Sequence, residues 1–260
     1  MPNNNQPVVR MSGITKRFLD ITAGDHINFS LFAGEICALL GENGAGKTTL
    51  MNILFGYYTC DEGQIFIKGK RVNLSAPKDA IGCGVGMIRQ HFALVPSQTV
   101  LENIIVGTGS GNGIFLDLKS ARRDIVSLQE RFGLQVDPDA KIWTLSVGEQ
   151  QKVEILKALY RNARVLVLDE PTSGLDPNQI IEIRDIIRKI GEKKTVILST
   201  HILSEVEAVC DRVIIINQGR IVADDRTENL KQQFGGERRI HMALTGAGYD
   251  EIHRTLSEVP

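Results

Sequence analysis

Residues able to cross-link the chain or hold a metal are scarce. The four cysteines (37, 60, 83 and 210) are scattered, with no Cys-x-x-Cys pair and no matching His spacing. That argues against a disulfide framework and a metal site alike, and leaves small buried thiols in a reducing compartment. No apolar run approaches the ~20 residues needed to cross a bilayer. Met1-Pro2-Asn3-Asn4-Asn5-Gln6 is polar and uncharged, so no signal peptide is expected. An excess of charge of one sign is also missing: 30 Lys and Arg face 31 Asp and Glu, a net charge of −1. Nucleic acid, which selects a basic surplus, is therefore not expected as the main partner. No internal repeat is visible. What is present, 260 residues with 42% hydrophobic and 23% charged, suits a globular protein with a sizeable core in one or two domains.

Against this plain background one stretch stands out. Gly41-Glu42-Asn43-Gly44-Ala45-Gly46-Lys47-Thr48 has the glycine spacing and the closing Lys-Thr of a phosphate-binding loop, the P-loop. Backbone N–H groups of such a loop cradle phosphate, Lys47 reaches the β and γ oxygens, and the Thr48 hydroxyl ligates Mg2+. Ile36–Leu40 reads as a buried strand before the loop, and 49–54 as a helix opening at Thr49 after it. Phosphate then meets a helix N-terminus, where free N–H groups and the helix dipole favour anions. The expected ligand is a nucleoside triphosphate.

Elsewhere, residues 8–15 and 26–32 alternate apolar and polar and predict half-buried strands. A hairpin is expected around Gln64–Ile67 and Lys68-Gly69-Lys70, and a short strand at Val85–Ile88. From about 92 to 160 the pattern is helical, with Thr99 and Glu102 spaced as a capping box. Gly107–Gly113 reads as a surface loop. Near-continuous β-branched runs at 164–168, 195–199 and 213–216 predict parallel strands covered on both faces, separated by helices at 178–190 and 203–210. The strand at 164–168 ends in Asp169-Glu170. In P-loop enzymes such an Asp holds Mg2+, and Glu170 is placed to orient or deprotonate a water.

With these parts in order, the sequence resembles the ATP-binding-cassette (ABC) ATPases over nearly all of residues 8–230. Leu145-Ser146-Val147-Gly148-Glu149 is similar to that family's signature, Asp169–Asp176 to its strand-end carboxylates and following loop, Gln90 to its loop glutamine and His201 to its switch histidine. The resemblance implies an α/β fold: a P-loop (RecA-like) core, an antiparallel β subdomain and an inserted helical subdomain. The cassette would span 8–235, and 236–260 would begin an accessory region. It implies Glu170, His201, Lys47 and Gln90 as catalytic, Thr48, Gln90 and Asp169 toward Mg2+, and Gly41 through Thr49 around the phosphates of ATP. Ser146, Gly148 and Asp176 would serve an ATP held between two cassettes. Ser146 would cap a helix beginning at Gly148 and bond a phosphate oxygen, and Gly148 would let a backbone N–H approach it. Phe18, after Lys16-Arg17, is either an adenine platform or a core aromatic.

Val147 and Glu149 depart from the usual signature, and a carboxylate near phosphate must point away to be tolerated. The form resembles the ATPases of simple-sugar and nucleoside importers. The wording after about 173 resembles gliding-motility and multidrug-export ATPases, so export stands as the alternative to import. The implied partners are a second cassette, the same or different, transmembrane permease subunits and, for an importer, a solute-binding protein. The chain would sit at the cytoplasmic face of the membrane. Gln90 and Phe92–Pro96 are expected either to shape a groove for a permease helix or simply to pack the insertion. Residues 236–260 are expected to be the least securely packed.

Overall fold

The structure, a computed structural model, describes residues 6–108 and 117–229. The chain divides into two units, Met1–Thr227 and Glu228–Pro260, and the elements below belong to the first. Two long strands, β1 (Val9–Phe18) and β2 (Ile21–Leu31), are followed by β3 (Ile36–Leu40) and helix α1 (Lys47–Phe55). The hairpin β4 (Glu62–Ile67) and β5 (Lys70–Val72), a short helix α2 (Pro77–Gly82) and β6 (Val85–Ile88) come next. Helices α3 (Val100–Ile105), α4 (Leu118–Phe132) and α5 (Val147–Tyr160) separate β6 from β7 (Val165–Asp169). The chain continues through α6 (Pro177–Gly191), β8 (Thr195–Thr200), α7 (Leu203–Val209), β9 (Arg212–Asn217) and β10 (Arg220–Arg226).

These strands make two sheets. One is antiparallel, in the order β2-β1-β4-β5; the other runs β10-β9-β3-β8-β7-β6 and is parallel except for β10 at its edge. Every residue of β7 and β8 is buried, as their unbroken apolar runs require of strands covered on both faces. Helix α6 buries Ile183, Ile186, Ile187 and Ile190, the i, i+3, i+4, i+7 stripe of an amphipathic helix. One apolar cluster takes in Leu39, Met51, Leu54, Val167 and Ile214 together with Met11, Ile14 and Phe29 of the antiparallel sheet. Each such side chain contributes about 1.5–3 kcal/mol on full burial, so the two sheets share one core.

The expected α/β class, antiparallel portion and helical insertion are all present, with four differences in detail. Strands β1 and β2 extend past the expected 8–15 and 26–32 and pair as far as Phe18 and Ile21. Register shifts between Met11 and Ile14 and again around Lys16 break the two-residue alternation that marks a strand in sequence. The insertion begins with ten irregular residues, 89–98, before the first helical residue, Val100. Helix α1 opens at Lys47 and not at Thr49, and β10 was not foreseen. The expected strand and helix within 236–260, the weak packing there and the boundary near 235 lie outside the described residues, as does most of the loop at 107–113.

Candidate functional site at the C-terminal edge of the parallel sheet

The loop from Gly41 to Gly46 joins β3 to α1, and neighbours on both sides fix its course. Gly41 N–H donates to the Thr200 carbonyl at the end of β8 (3.4 Å), and Gly219 N–H, in the β9–β10 turn, donates to Ala45 O (2.9 Å). The same Gly219 accepts from Asp25 N on β2 (2.8 Å), so this turn touches the loop and the antiparallel sheet at once. Gly46 caps α1 in the left-handed region with φ 105°, and a Cβ there would collide with the Ala23 carbonyl. Lys47 is buried and its ammonium donates to Gly41 O (2.8 Å) and Glu42 O (2.9 Å), spanning the loop. Burial lowers its pKa, opposed by the carboxylates of Glu170 and Asp169.

Strand β7 delivers those carboxylates. Asp169 is buried and its pKa is raised by desolvation; its Oδ1 lies 3.5 Å from Thr48 Oγ1. Two hard oxygens at the mouth of a phosphate loop fit Mg2+, which takes few protein ligands and completes its shell with phosphate and water. Among the described residues no cluster of three or more His, Cys, Asp or Glu could hold a metal alone, so the donor set suits an ion that arrives with a nucleotide. Glu170 adopts φ 48°, a region a non-glycine residue occupies at a cost, and its N–H donates to Ser199 O (2.9 Å). Its Oε1 lies 3.3 Å from His201 Nδ1, just past β8. Lys47, Thr48, Asp169, Glu170 and His201 thus converge on one edge, as the parallel order β3-β8-β7 dictates.

The other expected residues sit around this group. Gln90 leaves β6 and its Nε2 donates to Ser173 Oγ (3.4 Å). Phe18, at the end of β1, is 38% exposed and meets Tyr58 edge-on with centroids 5.3 Å apart, so it is a surface aromatic and not a core one. Asp176 is the N-cap of α6, its Oδ1 accepting from Asn178 N and Gln179 N at 2.9 and 3.0 Å. Ser146 caps α5, which opens at Val147 and not at Gly148. Glu149 closes a reciprocal box: its Oε2 accepts from Ser146 N and Oγ, both at 2.8 Å, and its N–H donates back to Ser146 Oγ (3.3 Å). The variant carboxylate therefore has a local partner, and bonding from Ser146 N–H and hydroxyl holds its pKa below the usual carboxylate value. At Gly148 the missing Cβ faces Gln179, whose Cδ would lie 3.0 Å away; the glycine permits close packing of α5 on α6. Among the described residues no hydrogen bond joins Ser146, Gly148 or Asp176 to Gly41–Thr48.

Reasoning from sequence missed two features. Ala93 is clasped by α5, its N–H donating to Glu154 Oε1 (2.7 Å) and its carbonyl accepting from Lys157 Nζ (3.0 Å). Glu205, buried in α7, accepts hydroxyl bonds from Thr172 and Thr200. A Glu in the first turn of a helix has an ordinary reading beside the dipole, so nothing in the sequence pointed to its distant partners.

The family model described as "ABC transporter" matches residues 25–173. The chain belongs to the ABC transporter family. It is 51% identical over 219 residues to the nucleoside import ATP-binding protein NupA of Lactococcus lactis subsp. cremoris, covering 84% of this chain and 43% of that protein. It is 38% identical over 246 residues to the ribose import ATP-binding protein RbsA of Caldanaerobacter subterraneus, covering 91% and 49%. Likeness to importers thus continues past residue 173. The chain spans about half the length of the curated relatives it matches. Its fold is that of the family's ATPase cassette: the ADP conformation of MJ1267, an ATP-binding cassette of an ABC transporter, superposes at TM-score 0.77 with 26% identity, covering 86% of this chain and 93% of that one. The dimeric MJ0796 cassette, from a bacterial ABC transporter, superposes at 0.74 with 25% identity, covering 84% and 98%.

Proposed function

We propose that this cassette binds and hydrolyses ATP with Mg2+ and, paired with a second cassette, drives import of a simple sugar or nucleoside through permease subunits. The observation that carries the reading is the convergence of Lys47, Thr48, Asp169, Glu170 and His201 on one sheet edge. Names of relatives support the cargo class: nucleoside, guanosine, glucose and ribose import.

In this reading the loop N–H groups and Lys47 hold the β and γ phosphates, and Phe18 supports the adenine. Thr48 and Asp169 would hold Mg2+, with Gln90 a further ligand; when bound, the ion would offset the charge that builds on the phosphates. Glu170 accepts a proton from the attacking water or orients it. His201, 3.3 Å from Glu170, donates toward the γ-phosphate as charge develops. Ser146 and Gly148 at the head of α5, with Asp176, face the nucleotide of the partner cassette. ATP then favours the closed pair through contacts available only there, and hydrolysis releases it.

A cleft of about 160 Å³ between α1, α2, β6 and α5 is proposed to take the permease helix. Of Phe92–Pro96 only Ala93 lines it; the apolar floor comes from Phe55, Ile81 and Met87, and the rim from Arg89, Lys157 and Arg161. Among the described residues no helix is long and apolar enough to cross a membrane, so membrane association is assigned to those partners, at the cytoplasmic face, with a solute-binding protein on the other side. The cassette is proposed to span 8–235. The deciding variant is Glu170→Gln. It is expected to bind ATP, to lose turnover by about 10²–10⁴-fold and to dimerise more tightly with ATP, read by phosphate release and by sedimentation. Turnover at the wild-type rate would remove Glu170 from its role.

A further inference from the structure

Glu205 is 2% exposed, in the first turn of α7, and no Lys, Arg or His lies within ion-pairing distance of it among the described residues. A carboxylate is costly to bury unless it is well hydrogen-bonded. Here two threonine hydroxyls supply the bonds: Thr172 donates to Oε1 and Thr200 to Oε2, the latter at 2.6 Å. The Thr200 oxygen in turn accepts from Ile202 N (3.1 Å), which leaves its own proton for Glu205.

The positions of the two threonines give the arrangement its meaning. Thr172 lies two residues past Glu170, and its carbonyl accepts from Leu175 N (3.2 Å), closing the turn that leads to Asp176. Thr200 lies one residue before His201, and its carbonyl accepts from Gly41 N at the start of the phosphate loop. One carboxylate therefore spans the two segments whose reactive ends, Glu170 and His201, meet at 3.3 Å. Glu170 at φ 48° is a strained residue that persists only when its surroundings over-determine it, and Thr172 anchors the segment directly behind it. Beyond the end of the β7–β8 ladder at Asp169↔Ser199, Glu170 N donates to Ser199 O, and the Glu205 bridge continues the join between the two segments past that point.

We infer that Glu205 is a positioning residue for ATP hydrolysis, setting the distance between Glu170 and His201 through Thr172 and Thr200; this rests on the reading of the site given above. Misplacing a reacting group by about 1 Å costs roughly 10²-fold in rate. In the full-length chain, Glu205→Ala is accordingly expected to lower kcat by about 10²-fold while KM and the affinity for a fluorescent ATP analogue stay within about threefold. Glu205→Gln keeps one acceptor and turns an NH2 toward the other hydroxyl, so a smaller loss, about tenfold, is expected. Thr172→Val with Thr200→Val should match Glu205→Ala, and adding Glu205→Ala to that pair should cost nothing more, as for groups acting as one unit. Unchanged kcat in both Glu205 variants overturns the inference. So does a parallel fall of kcat, ATP affinity and melting temperature in Glu205→Gln, which marks a purely structural contact. A wild-type chain that turns over no ATP refutes the reading of the site itself, whereas active wild type with indifferent variants refutes only the role of Glu205.

Discussion

A methyl group added at Gly46 has no room: the backbone is at φ 105° and the Ala23 carbonyl lies where the new carbon would go. Gly46→Ala is thus expected to lower unfolding free energy by about 2 kcal/mol, measured by urea unfolding with no nucleotide added. An effect seen only on ATP binding would contradict this view of the loop. Gly148 makes a softer contrast. Its neighbour is the end of the Gln179 side chain, which can move. Gly148→Ala should cost about 1 kcal/mol and regain most of it when combined with Gln179→Ala. The motif around Gly41–Thr48 was legible because its residue types allow one chemistry at that spacing. The reason for Gly148 was not, since what it accommodates is a side chain from α6.

Among the elements, α5 is the most informative, because its N-terminal box joins Ser146 to the residue that departs from the family signature. Ser146→Ala removes the cap and is expected to cost about 1 kcal/mol of stability. The Glu149 half of the box depends on pH. Its folded pKa is held below the ordinary glutamate value by the bonds from Ser146, so its stabilisation is present above that ordinary value and is lost as pH falls through the folded pKa. Urea midpoints of wild type and Glu149→Ala should therefore differ at neutral pH and draw together in acid as the Glu149 carboxylate protonates. A difference independent of pH would rule out the ionised box. Strands β3, β7 and β8 were readable as elements, being unbroken apolar runs between turns. Strand β10, Arg-Ile-Val-Ala-Asp-Asp-Arg, was not: it alternates half-buried and exposed at a sheet edge, and its charges mask the pattern. The irregular segment 89–98 escaped for another reason. Its backbone is satisfied by side chains of α3 and α5, Asn103 at Val95 and Glu154 at Ala93, and no local pattern encodes that.

At the level of the molecule, Lys152 of α5 pairs with Glu182 of α6 at 2.6 Å, a tie from the helical insertion to a helix of the sheet layer. Inside the insertion, Glu154 with Lys157 clasps Ala93. Burial lowers the pKa of Lys157, and its bond to the Ala93 carbonyl ties the signature helix to the segment that starts at Gln90. Because the Ala93 amide depends on the Glu154 carboxylate for its acceptor, Glu154→Ala should raise hydrogen exchange at Ala93 by about tenfold or more while amides of β7 and β8 keep their protection. Equal acceleration in both places would mean that the insertion and the sheet open as one unit.

The turn at Gly219 has a consequence for how the protein is made. It braces Ala45 and receives Asp25, yet it is translated long after either. A ribosome that has released the whole glycine-rich motif has still not released the hairpin that buttresses it. Competence to grip a nucleotide should then arrive abruptly and late in synthesis, when the β9–β10 turn docks.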